Sequence, residues 1–396
     1  MRTVGLITEY NPFHNGHQYH IEQAKAQTGA DTVVVVMSGD FVQRGEPAIM
    51  PKHLRAEAAL KCGADLVIEL PLCYATGSAE QFAFGAVSLF EKLGVVDSIC
   101  FGSECGDLET LSDIANILSN ESEEYKITLQ KYLRSGDSFP LAREKTIKEL
   151  FPDKNYSQIL SEPNNILGIE YIKALLKLNS NIKPVTIQRS GAHYHDDELN
   201  QLFSSATAIR HSLNANALED LQSEVPTTMY DLMQKEYGKS FPIYPNDFSL
   251  LLKYRLLNET KESLRDYADV SEELANRIMN LKNEFVSFEQ FCELLKTKEL
   301  TYARISRALL HILLKYKNTD LHDICYARVL GFRTDATGIM SEIKWKSCIP
   351  LVTKLTAFEH PMLELEVYAS HIYHSILTDK YGTLFKNEYE RPILRI

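Results

Sequence analysis

The sequence contains no apolar run long enough to cross a bilayer, and Met1-Arg2-Thr3 leads into a short apolar segment rather than a signal peptide. We therefore expect a cytoplasmic protein without a membrane partner. Its seven cysteines are scattered along the chain, and no two closely spaced pairs occur among them. This pattern excludes a disulfide framework and paired metal-binding knuckles, so we expect reduced thiols and no metal site.

Two common nucleotide-binding motifs are also absent. The chain has no G-x-x-x-x-G-K-[S/T] segment, which excludes the P-loop enzymes. No G-x-G-x-x-G turn follows the first apolar segment, which excludes the dinucleotide-dependent oxidoreductases. The sequence also lacks repeats, low-complexity tracts and long Gly/Ser linkers, so it is typical of a globular protein.

Negative charge is in excess, with a formal net charge of −11 over 396 residues. This excess argues at first against a nucleic-acid partner. It lies entirely before Phe241, however, because basic and acidic residues are equal in number from there onward. The segment Lys296–Arg333 is locally basic and is a candidate for binding phosphate groups, although a solvated helix face explains the same charges.

The first half of the chain alternates β-rich runs with helical patterns, which predicts an α/β fold with a doubly wound parallel sheet. The predicted strands are Thr3–Glu9, Asp31–Met37, Asp65–Leu70, Ser98–Phe101 and Pro184–Gln188. The predicted helices between them are His17–Gln27, Pro51–Cys62, Ser78–Leu93 and Leu108–Leu118, ended by Gly29, Gly63 and Gly94. Helical patterns dominate later. We predict an α/β domain over residues 1–222 and a mainly helical domain over residues 223–396, with one short strand within Cys348–Leu355.

Asn11-Pro12-Phe13-His14-Asn15-Gly16-His17 follows the first predicted strand, where a helix begins. Ligands bind at the carboxyl ends of strands in such sheets, and a helix start offers free backbone N–H groups to an anion. His14 and His17 lie three residues apart, so they share one helix face and can donate to one phosphate oxygen. The segment predicts a phosphate site in which two positive imidazoles stabilise the charge that develops as pyrophosphate leaves. The alternative is a pair of surface histidines beside a proline turn.

Further polar groups follow other strands of the predicted sheet and are expected around the same ligand. Ser205, Thr207 and Arg210 begin a helix, and their hydroxyls and cation suit the outer phosphates of a triphosphate. Candidates near the nucleoside are Gly102, Asn164, Asn165 and Arg189. Candidates for orienting a second substrate, in the polar loop after the second strand and on the next helix, are Asp40, Gln43, Arg44, Glu46, Lys52 and Arg55. Helix caps and passive loop positions are the alternative explanations for these residues.

Several motifs together resemble a known family. H-x-G-H after the first strand and S-x-A-T-x-I-R after the last resemble the nucleotidyltransferase superfamily related to class I aminoacyl-tRNA synthetases. Six segments are more specifically similar to the bacterial tRNA(Met) cytidine acetate ligase family. They are G-L-I-T-E-Y-N-P-F-H-N-G-H, S-G-D-F-V-Q-R-G-E-P-A, G-A-D-L-V-I-E-L-P, F-G-S-E, P-N-N-I-L-G-I-E-Y and Y-A-R-V-L-G-F. The likeness runs from Gly5 to Phe332 and therefore covers most of the chain.

The resemblance implies a two-step reaction. Acetate attacks the α-phosphate of ATP to give acetyl-adenylate, and the acetyl group then passes to the exocyclic amine of the wobble cytidine of elongator tRNA(Met). His14 and His17 would be catalytic and hold the α-phosphate, while Ser205, Thr207 and Arg210 would face the triphosphate end. The ATP-binding positions implied by the family are Ile7, Thr8, Glu9, Tyr10, Asn11, Pro12, Phe13, His14, Asn15, Gly16, His17, Gln18, Tyr19, His20, Gly102, Asn164, Asn165 and Arg189.

The basic segment Lys296–Arg333 is the candidate contact surface for the tRNA. Arg304, Arg307 and Arg328 would bind phosphates, and Tyr302 and Tyr326 would stack on bases. Two other functions stay open: a small-molecule adenylyltransferase that joins AMP to a phosphate-bearing metabolite, and a nucleotide-sensing protein without turnover. The sequence also leaves open whether Mg²⁺ accompanies the ATP, and it does not indicate an oligomeric state.

Overall fold

A mostly parallel sheet with helices on both faces forms the centre of the protein, in a computed structural model that describes residues 1–189, 204–215 and 217–396. Its strands are β1 (Thr3–Thr8), β2 (Thr32–Ser38), β5 (Leu66–Leu70), β6 (Ser98–Ser103), β7 (Lys183–Gln188), β8 (Ala327–Phe332), β9 (Leu351–Val352) and β10 (Leu394–Arg395). Two further strands, β3 (Phe41–Val42) and β4 (Glu46–Pro47), pair with each other in a separate two-stranded ribbon.

Helices connect and cover these strands. They are α1 (Asn15–Thr28), α2 (Lys52–Lys61), α3 (Leu72–Ala75), α4 (Ala79–Leu93), α5 (Leu108–Ser119), α6 (Glu123–Arg134), α7 (Phe139–Leu150), α8 (Tyr156–Ile159), α9 (Pro163–Lys177), α10 (Ala206–Asn214), α11 (Thr227–Glu236), α12 (Ser249–Asn258), α13 (Lys261–Leu264), α14 (Glu272–Leu281), α15 (Phe288–Leu295), α16 (Tyr302–Leu314), α17 (Thr337–Lys346) and α18 (Pro361–Tyr381). Across the described ranges, no helix combines the length and apolar character that spanning a membrane requires.

The sheet is doubly wound, which confirms the predicted fold class. Its strand order is β10-β8-β5-β2-β1-β6-β7. The chain moves from β1 through β2 to β5 in one direction and then returns to β6 and β7 on the other side, with parallel pairing throughout this part. The carboxyl ends of β1 and β6 therefore flank the point where the winding reverses, which is where such sheets bind ligands.

The apolar pattern explains why these strands are central. Every residue of β2 is buried, and successive valines belong to different cores: Val33 and Val35 to one face, Val34 and Val36 to the other. A strand covered on both faces reads as a continuous apolar run, as this one does. The predicted strands and helices of this region are confirmed. Gly29 and Gly94 end α1 and α4 in the left-handed conformation, as expected of C-terminal stops.

The later part of the chain differs from the prediction in one respect. Residues 223–396 are mainly helical, and α12, α14, α15, α16 and α18 enclose a separate apolar cluster. However, β8 pairs antiparallel with β5, and β9 and β10 pair parallel with β8, so this part extends the sheet. The strand β8 was not predicted, because its short apolar run stands among helical patterns. The proposed boundary between residues 222 and 223 remains a prediction.

Candidate active site

A cavity of about 220 Å³ opens at the carboxyl ends of β1 and β6. It brings together most of the predicted ligand-binding residues: Ile7, Thr8, Glu9, Tyr10, Asn11, His14, His17, His20, Gln43, Arg44, Gly102, Asn164, Arg189, Ser205, Thr207 and Arg210. An adjoining cavity of about 90 Å³ shares the histidines and adds Gly16 and Tyr19. Residues from four strand ends and three helices thus meet at one place.

Local hydrogen bonds fix the orientation of the two histidines at the start of α1. His14 is the N-cap residue, and its Nδ1 accepts from the backbone N–H of Gly16 at 3.1 Å. His17 Nδ1 accepts from the backbone N–H of His14 at 3.2 Å. The two rings stack with centroids 3.7 Å apart. Because each Nδ1 acts as an acceptor, the proton of each neutral ring lies on Nε2, which is available to donate to a ligand in the cavity.

The charge of this histidine pair differs from the prediction. Burial and the nearby Arg189 and Arg210 lower the pKa of His14 to about 3, and burial and the neighbouring His14 lower the pKa of His17 well below its usual value. Both imidazoles are therefore neutral at pH 7 in the protein alone, whereas the sequence led us to expect two positive rings. Sequence spacing could not reveal this, because the lowered pKa values come from burial and from arginines far along the chain.

The backbone N–H groups at the start of α1 are not free either. Asn15 N–H donates to Glu224 O at 3.1 Å, Gly16 N–H donates to His14 Nδ1, and His17 and Gln18 N–H donate to His14 O. The prediction that these groups bind a phosphate directly is therefore wrong. The helix start contributes to the site through the imidazole Nε2 atoms, whose rings it holds in place.

Two arginines supply the positive charge instead. Arg210 Nη1 donates to Asn11 O at 2.8 Å, and its Nη2 donates to Thr207 Oγ1 at 3.2 Å, so the guanidinium is held across the cavity wall. Arg189 lies at the end of β7 and lines both cavities. Ser205 caps α10 by accepting from Ala208 N–H at 3.0 Å. The wall therefore combines neutral imidazole donors with fixed cations, which suits a polyphosphate.

The opposite end of the cavity is more apolar. Phe82, Phe101, Leu167 and Tyr171 line it beside Gly102 and Asn164. Phe101, Leu167 and Tyr171 lie in motifs that the sequence analysis quoted, whereas Phe82 does not, and none of the four was predicted to line the site. What they share is a position on α4, β6 or α9 that faces the point where the winding of the sheet reverses. An apolar wall with a few polar groups suits a nucleoside base.

His20 is a further candidate for ligand contact. It lies three residues after His17 and six after His14, and it lines both cavities. Burial and Arg189 lower its pKa to about 4, so this ring is also neutral at pH 7. Its Nε2 is buried and has no hydrogen-bond partner among the described residues, which leaves this atom to meet a ligand.

Some of the implied ATP-binding positions do not line the cavity. Phe13 belongs to the apolar core beside Tyr10, and Asn15 Nδ2 donates to Ser223 O at 2.7 Å. Gln18 Nε2 donates to Glu22, and Asn165 Oδ1 accepts from Cys105 N–H at 3.1 Å. Pro12, which is buried, is also absent from the cavity wall. The structure assigns these residues to support of the site rather than to its surface.

The loop after β2 contributes part of the predicted substrate-orienting set. Gln43 and Arg44 line the cavity, and Gln43 N–H donates to Glu9 Oε1 at 2.8 Å. Asp40 does not line the cavity. It is buried and accepts hydrogen bonds from the backbone N–H of Lys52 at 2.9 Å and from Ser370 Oγ at 2.8 Å. The prediction that Asp40 orients substrate is therefore wrong.

Lys52 and Arg55, the two predicted substrate-orienting cations on α2, also support the fold instead of lining the cavity. Lys52 Nζ pairs with Glu69 at 2.9 Å and Glu388 at 3.2 Å in the interior. Arg55 is fully buried and donates to backbone carbonyl groups, including Met50 O at 3.0 Å. Neither side chain reaches the cavity wall, so both position the loop after β2 instead of contacting a ligand.

Arg328 was predicted to bind tRNA, and the structure contradicts this. Its side chain is 4% exposed and lies among the carboxylates of Glu69, Glu366 and Glu388, with Glu69 Oε2 at 3.0 Å from Nη1. Tyr326 is also buried and donates to Glu366, so it cannot stack on a base. The sequence alone does not distinguish a buried arginine from an exposed one. The burial of Arg328 becomes evident only from the pairing of β8 with β5.

The other predicted tRNA contacts lie on α16. Arg307 Nε donates to Asp269 at 2.8 Å, and its side chain is 12% exposed. Arg304 is half-buried and forms no ion pair with any described residue. Within the described ranges, no group of three or more histidine, cysteine or acidic side chains is arranged to hold a metal ion.

The lowered histidine pKa values predict an acid-sensitive fold. Between about pH 6.5 and pH 4 the unfolded chain takes up protons on His14 and His20, whereas the folded protein does not, so stability falls as pH is lowered through this window. We expect the denaturation midpoint at pH 5 to lie below that at pH 7. The variant His14→Asn, which keeps an N-cap acceptor without a titrating ring, should lose less stability over the same range. An equal loss in both proteins would contradict the assignment.

Comparison with known proteins identifies a family and relatives that match over most of the chain. A family model described as HIGH Nucleotidyl Transferase matches residues 1–388. The chain is 42% identical over 383 residues to the tRNA(Met) cytidine acetate ligase of Clostridium novyi, covering 95% of this chain and 96% of the relative. It is 41% identical to the protein of the same name from Caldanaerobacter subterraneus subsp. tengcongensis, with 100% of both chains covered.

Solved structures show the same fold. The crystal structure of Thermotoga maritima TmcAL in apo form I matches with a TM-score of 0.94, 32% identity and full coverage of both chains. The crystal structure of Thermotoga maritima TmcAL bound with alpha-thio ATP matches with a TM-score of 0.91 at the same identity and coverage. The likeness therefore extends to the whole chain, including the strands contributed by its last part.

Proposed function

The chain belongs to the HIGH nucleotidyl transferase family, and from this premise we propose that it is an ATP-dependent ligase that acetylates a cytidine of tRNA(Met). The observation that carries this proposal is the full-length identity of 41% and 42% to proteins named tRNA(Met) cytidine acetate ligase. The cavity supports it, because neutral imidazole donors and two arginines meet beside an apolar pocket of a size that suits a nucleoside base.

In the first step, an oxygen of acetate attacks the α-phosphorus of ATP and pyrophosphate leaves. The Nε2–H groups of His14 and His17 donate to the α-phosphate oxygens, where negative charge increases in the transition state. Arg210, with Thr207 and Ser205, faces the departing pyrophosphate. Arg189 and Asn164 lie on the nucleoside side. The product is acetyl-adenylate, in which AMP has become a good leaving group.

In the second step, the exocyclic amine of the cytidine attacks the acetyl carbonyl and AMP leaves. We place this acceptor at the wobble position of elongator tRNA(Met), so that the product is 4-acetylcytidine. A cytoplasmic location follows from this substrate. Mg²⁺ accompanies ATP in this proposal only as an ion carried by the nucleotide phosphates, since no cluster of protein ligands among the described residues would hold it.

The proposed contact surface for tRNA consists of Lys296 and Lys298, which lie between α15 and α16, and Arg304 in the first turn of α16. Ser306 Oγ on this helix donates to Gly45 O at 2.9 Å, and Gly45 lies between Arg44 and Glu46. A Cβ atom on Gly45 would approach the Arg307 backbone nitrogen to 2.3 Å, so the loop and the helix are in close contact. A phosphate backbone held on this surface would therefore lie next to the cavity mouth.

Charge reversal tests this surface. The variant Arg304→Glu should weaken tRNA binding by about tenfold, and the slope of log affinity against log salt should become shallower by about one unit. Formation of acetyl-adenylate in the absence of tRNA should be unchanged. Filter binding at several salt concentrations measures the effect, and Arg265→Glu, on an exposed turn after α13, provides the matched control. Unchanged tRNA affinity in Arg304→Glu would place the tRNA elsewhere.

Parallel incubations with labelled pyrophosphate, labelled acetate and ATP labelled in the adenylate portion separate the candidate functions. A cytidine acetate ligase exchanges pyrophosphate into ATP only when acetate is present and transfers labelled acetate to tRNA(Met). A small-molecule adenylyltransferase instead transfers label to a phosphate-bearing metabolite, and a sensor protein binds ATP without turnover. Absence of acetate-dependent exchange would contradict the proposed function.

A further inference from the structure

Glu46 is a carboxylate in the wall of a cavity otherwise suited to anions. It lies on β4, which pairs antiparallel with β3. The side chain is half-buried and lines the cavity beside Arg44 and Arg210. Among the described residues it forms neither a hydrogen bond nor an ion pair within 4.0 Å. A partly buried carboxylate without a partner is unfavourable, so its position indicates a donor that is supplied by a ligand.

The β3–β4 ribbon, defined as residues 41–47, holds Glu46 rigidly. Phe41 packs in the apolar cluster of the helical part, and Gln43 Nε2 donates to Gly77 O at 3.0 Å. Gly45 adopts φ +80° and contacts the backbone of α16, where a side chain would not fit. The carboxylate is therefore presented from a fixed backbone, as expected for a group that must be placed within a few tenths of an ångström.

The substrates of the proposed function limit which ligand group can donate a hydrogen bond to Glu46. The inference below therefore rests on that function. Acetate and the triphosphate carry only acceptors toward this wall. The adenine amine would lie near Gly102 and Asn164, whereas Glu46 faces Arg210 at the triphosphate end. The ribose hydroxyls of ATP would lie with the adenine at the nucleoside end, so the donor left for Glu46 is the exocyclic amine of the cytidine. Glutamate commonly accepts from this amine in nucleic-acid recognition.

We infer that Glu46 binds the exocyclic amine of the acceptor cytidine and removes its proton during acetyl transfer. The amine nitrogen forms a bond to the acetyl carbonyl carbon, the bond from that carbon to the AMP oxygen breaks, and AMP leaves with the electron pair. The proton lost by the nitrogen passes to a Glu46 carboxylate oxygen and then to water. Arg44, next to it in the wall, offers N–H donors that match the N3 and O2 acceptors of cytosine.

The surroundings suit this role. Burial raises the pKa of the Glu46 carboxyl, and Glu9 and Glu289 add to that effect, while Arg210 and Arg44 oppose it. A higher pKa makes the carboxylate a better proton acceptor. The position also fits the sheet, because the ribbon follows β2. That strand lies on the side of β1 opposite to β6 and β7, the strands that carry Gly102 and lead to Arg189. Acceptor and nucleotide would thus approach the α-phosphate from opposite sides.

The variant Glu46→Gln tests the inference by separating the two half-reactions. Single-turnover transfer of acetyl from enzyme-bound acetyl-adenylate to tRNA(Met) should slow by about 10²–10⁴-fold, the usual contribution of a general base. Acetate-dependent exchange of pyrophosphate into ATP should persist, because removing a negative charge near Arg210 does not weaken triphosphate binding. Glu46→Asp should recover part of the transfer rate. Glu289→Gln, an exposed carboxyl that faces Glu46 from α15, is the matched control.

Each outcome has a distinct meaning. Transfer at the wild-type rate in Glu46→Gln would overturn the inference. Loss of exchange together with transfer, accompanied by a higher Mg²⁺ requirement, would also overturn it and assign Glu46 to a nucleotide-bound metal. A wild-type protein without acetate-dependent exchange would instead contradict the proposed function, and this result is independent of any Glu46 variant.

Discussion

Replacing His14 with alanine is expected to slow acetate-dependent exchange of pyrophosphate into ATP by about 10²–10³-fold, the effect of removing one donor to a developing oxyanion. His17→Ala should have an effect of similar size. Both residues line the cavity, and each Nδ1 accepts a backbone N–H at 3.1 or 3.2 Å, which fixes the proton of each neutral ring on Nε2. Exchange of labelled pyrophosphate measures the loss directly, without tRNA.

These alanine variants also remove helix caps, so matched variants are needed. His14→Asn keeps an acceptor at the N-cap position, and His17→Gln keeps one at the third helical residue, where the wild-type chain closes a capping box. Both variants should retain the thermal midpoint and still lose exchange. If His14→Asn exchanged at the wild-type rate, the ring would serve only to cap α1, and the phosphate site would have to lie elsewhere.

Replacing Arg328 with methionine should destabilise the protein by about 3–5 kcal/mol, the cost of removing one partner from a buried ion-pair network. The guanidinium lies 3.0 Å from Glu69 and also contacts Glu366 and Glu388. Without it, Lys52 is the one remaining ion-pair partner of Glu69 among the described residues, and it is shared with Glu388. We expect a large fall in the midpoint of urea denaturation and a poor yield of folded protein.

Arg304→Met provides the comparison for this effect. Arg304 is half-buried and has no ion-pair partner among the described residues, so its loss should change stability by less than about 0.5 kcal/mol. Charge counting assigned both residues to the tRNA. The structure places Arg328 in a buried ion-pair network, whereas contact of Arg304 with the tRNA stays a proposal. A stable Arg328→Met protein with weakened, salt-dependent tRNA binding would show that Arg328 reaches the surface after all.

The sequence predicted the central sheet well because its signals are local. Each signal depends on the backbone within a few residues. Examples are the valines of β2, the end of the first strand at Asn11-Pro12 and the end of α1 at Gly29. Those features sufficed to place the histidine pair, Gly102 and Arg210 around one cavity. They sufficed because the ends of parallel strands meet at one edge of a sheet regardless of how the rest of the chain folds.

The errors concern properties that distant residues determine. Asp40 is bound by Ser370, and Arg328 is enclosed by Glu69 and Glu388, which lie far from it in the chain. The neutral state of His14 likewise depends on burial and on Arg189 and Arg210. A charged residue in a polar loop resembles a ligand group in sequence, and only its tertiary partners show whether it is already satisfied.

The antiparallel pairing of β8 with β5 has a consequence for biosynthesis. β5 is translated long before β8, so a nascent chain displays an uncovered strand edge, with Glu69 and Lys52 still lacking Arg328, until most of the polypeptide has left the ribosome. A truncated product ending near residue 222 would therefore be an aggregation hazard rather than a spare nucleotide-binding module. Completion of translation, and not synthesis of the first half alone, sets the moment at which the cell gains a working site.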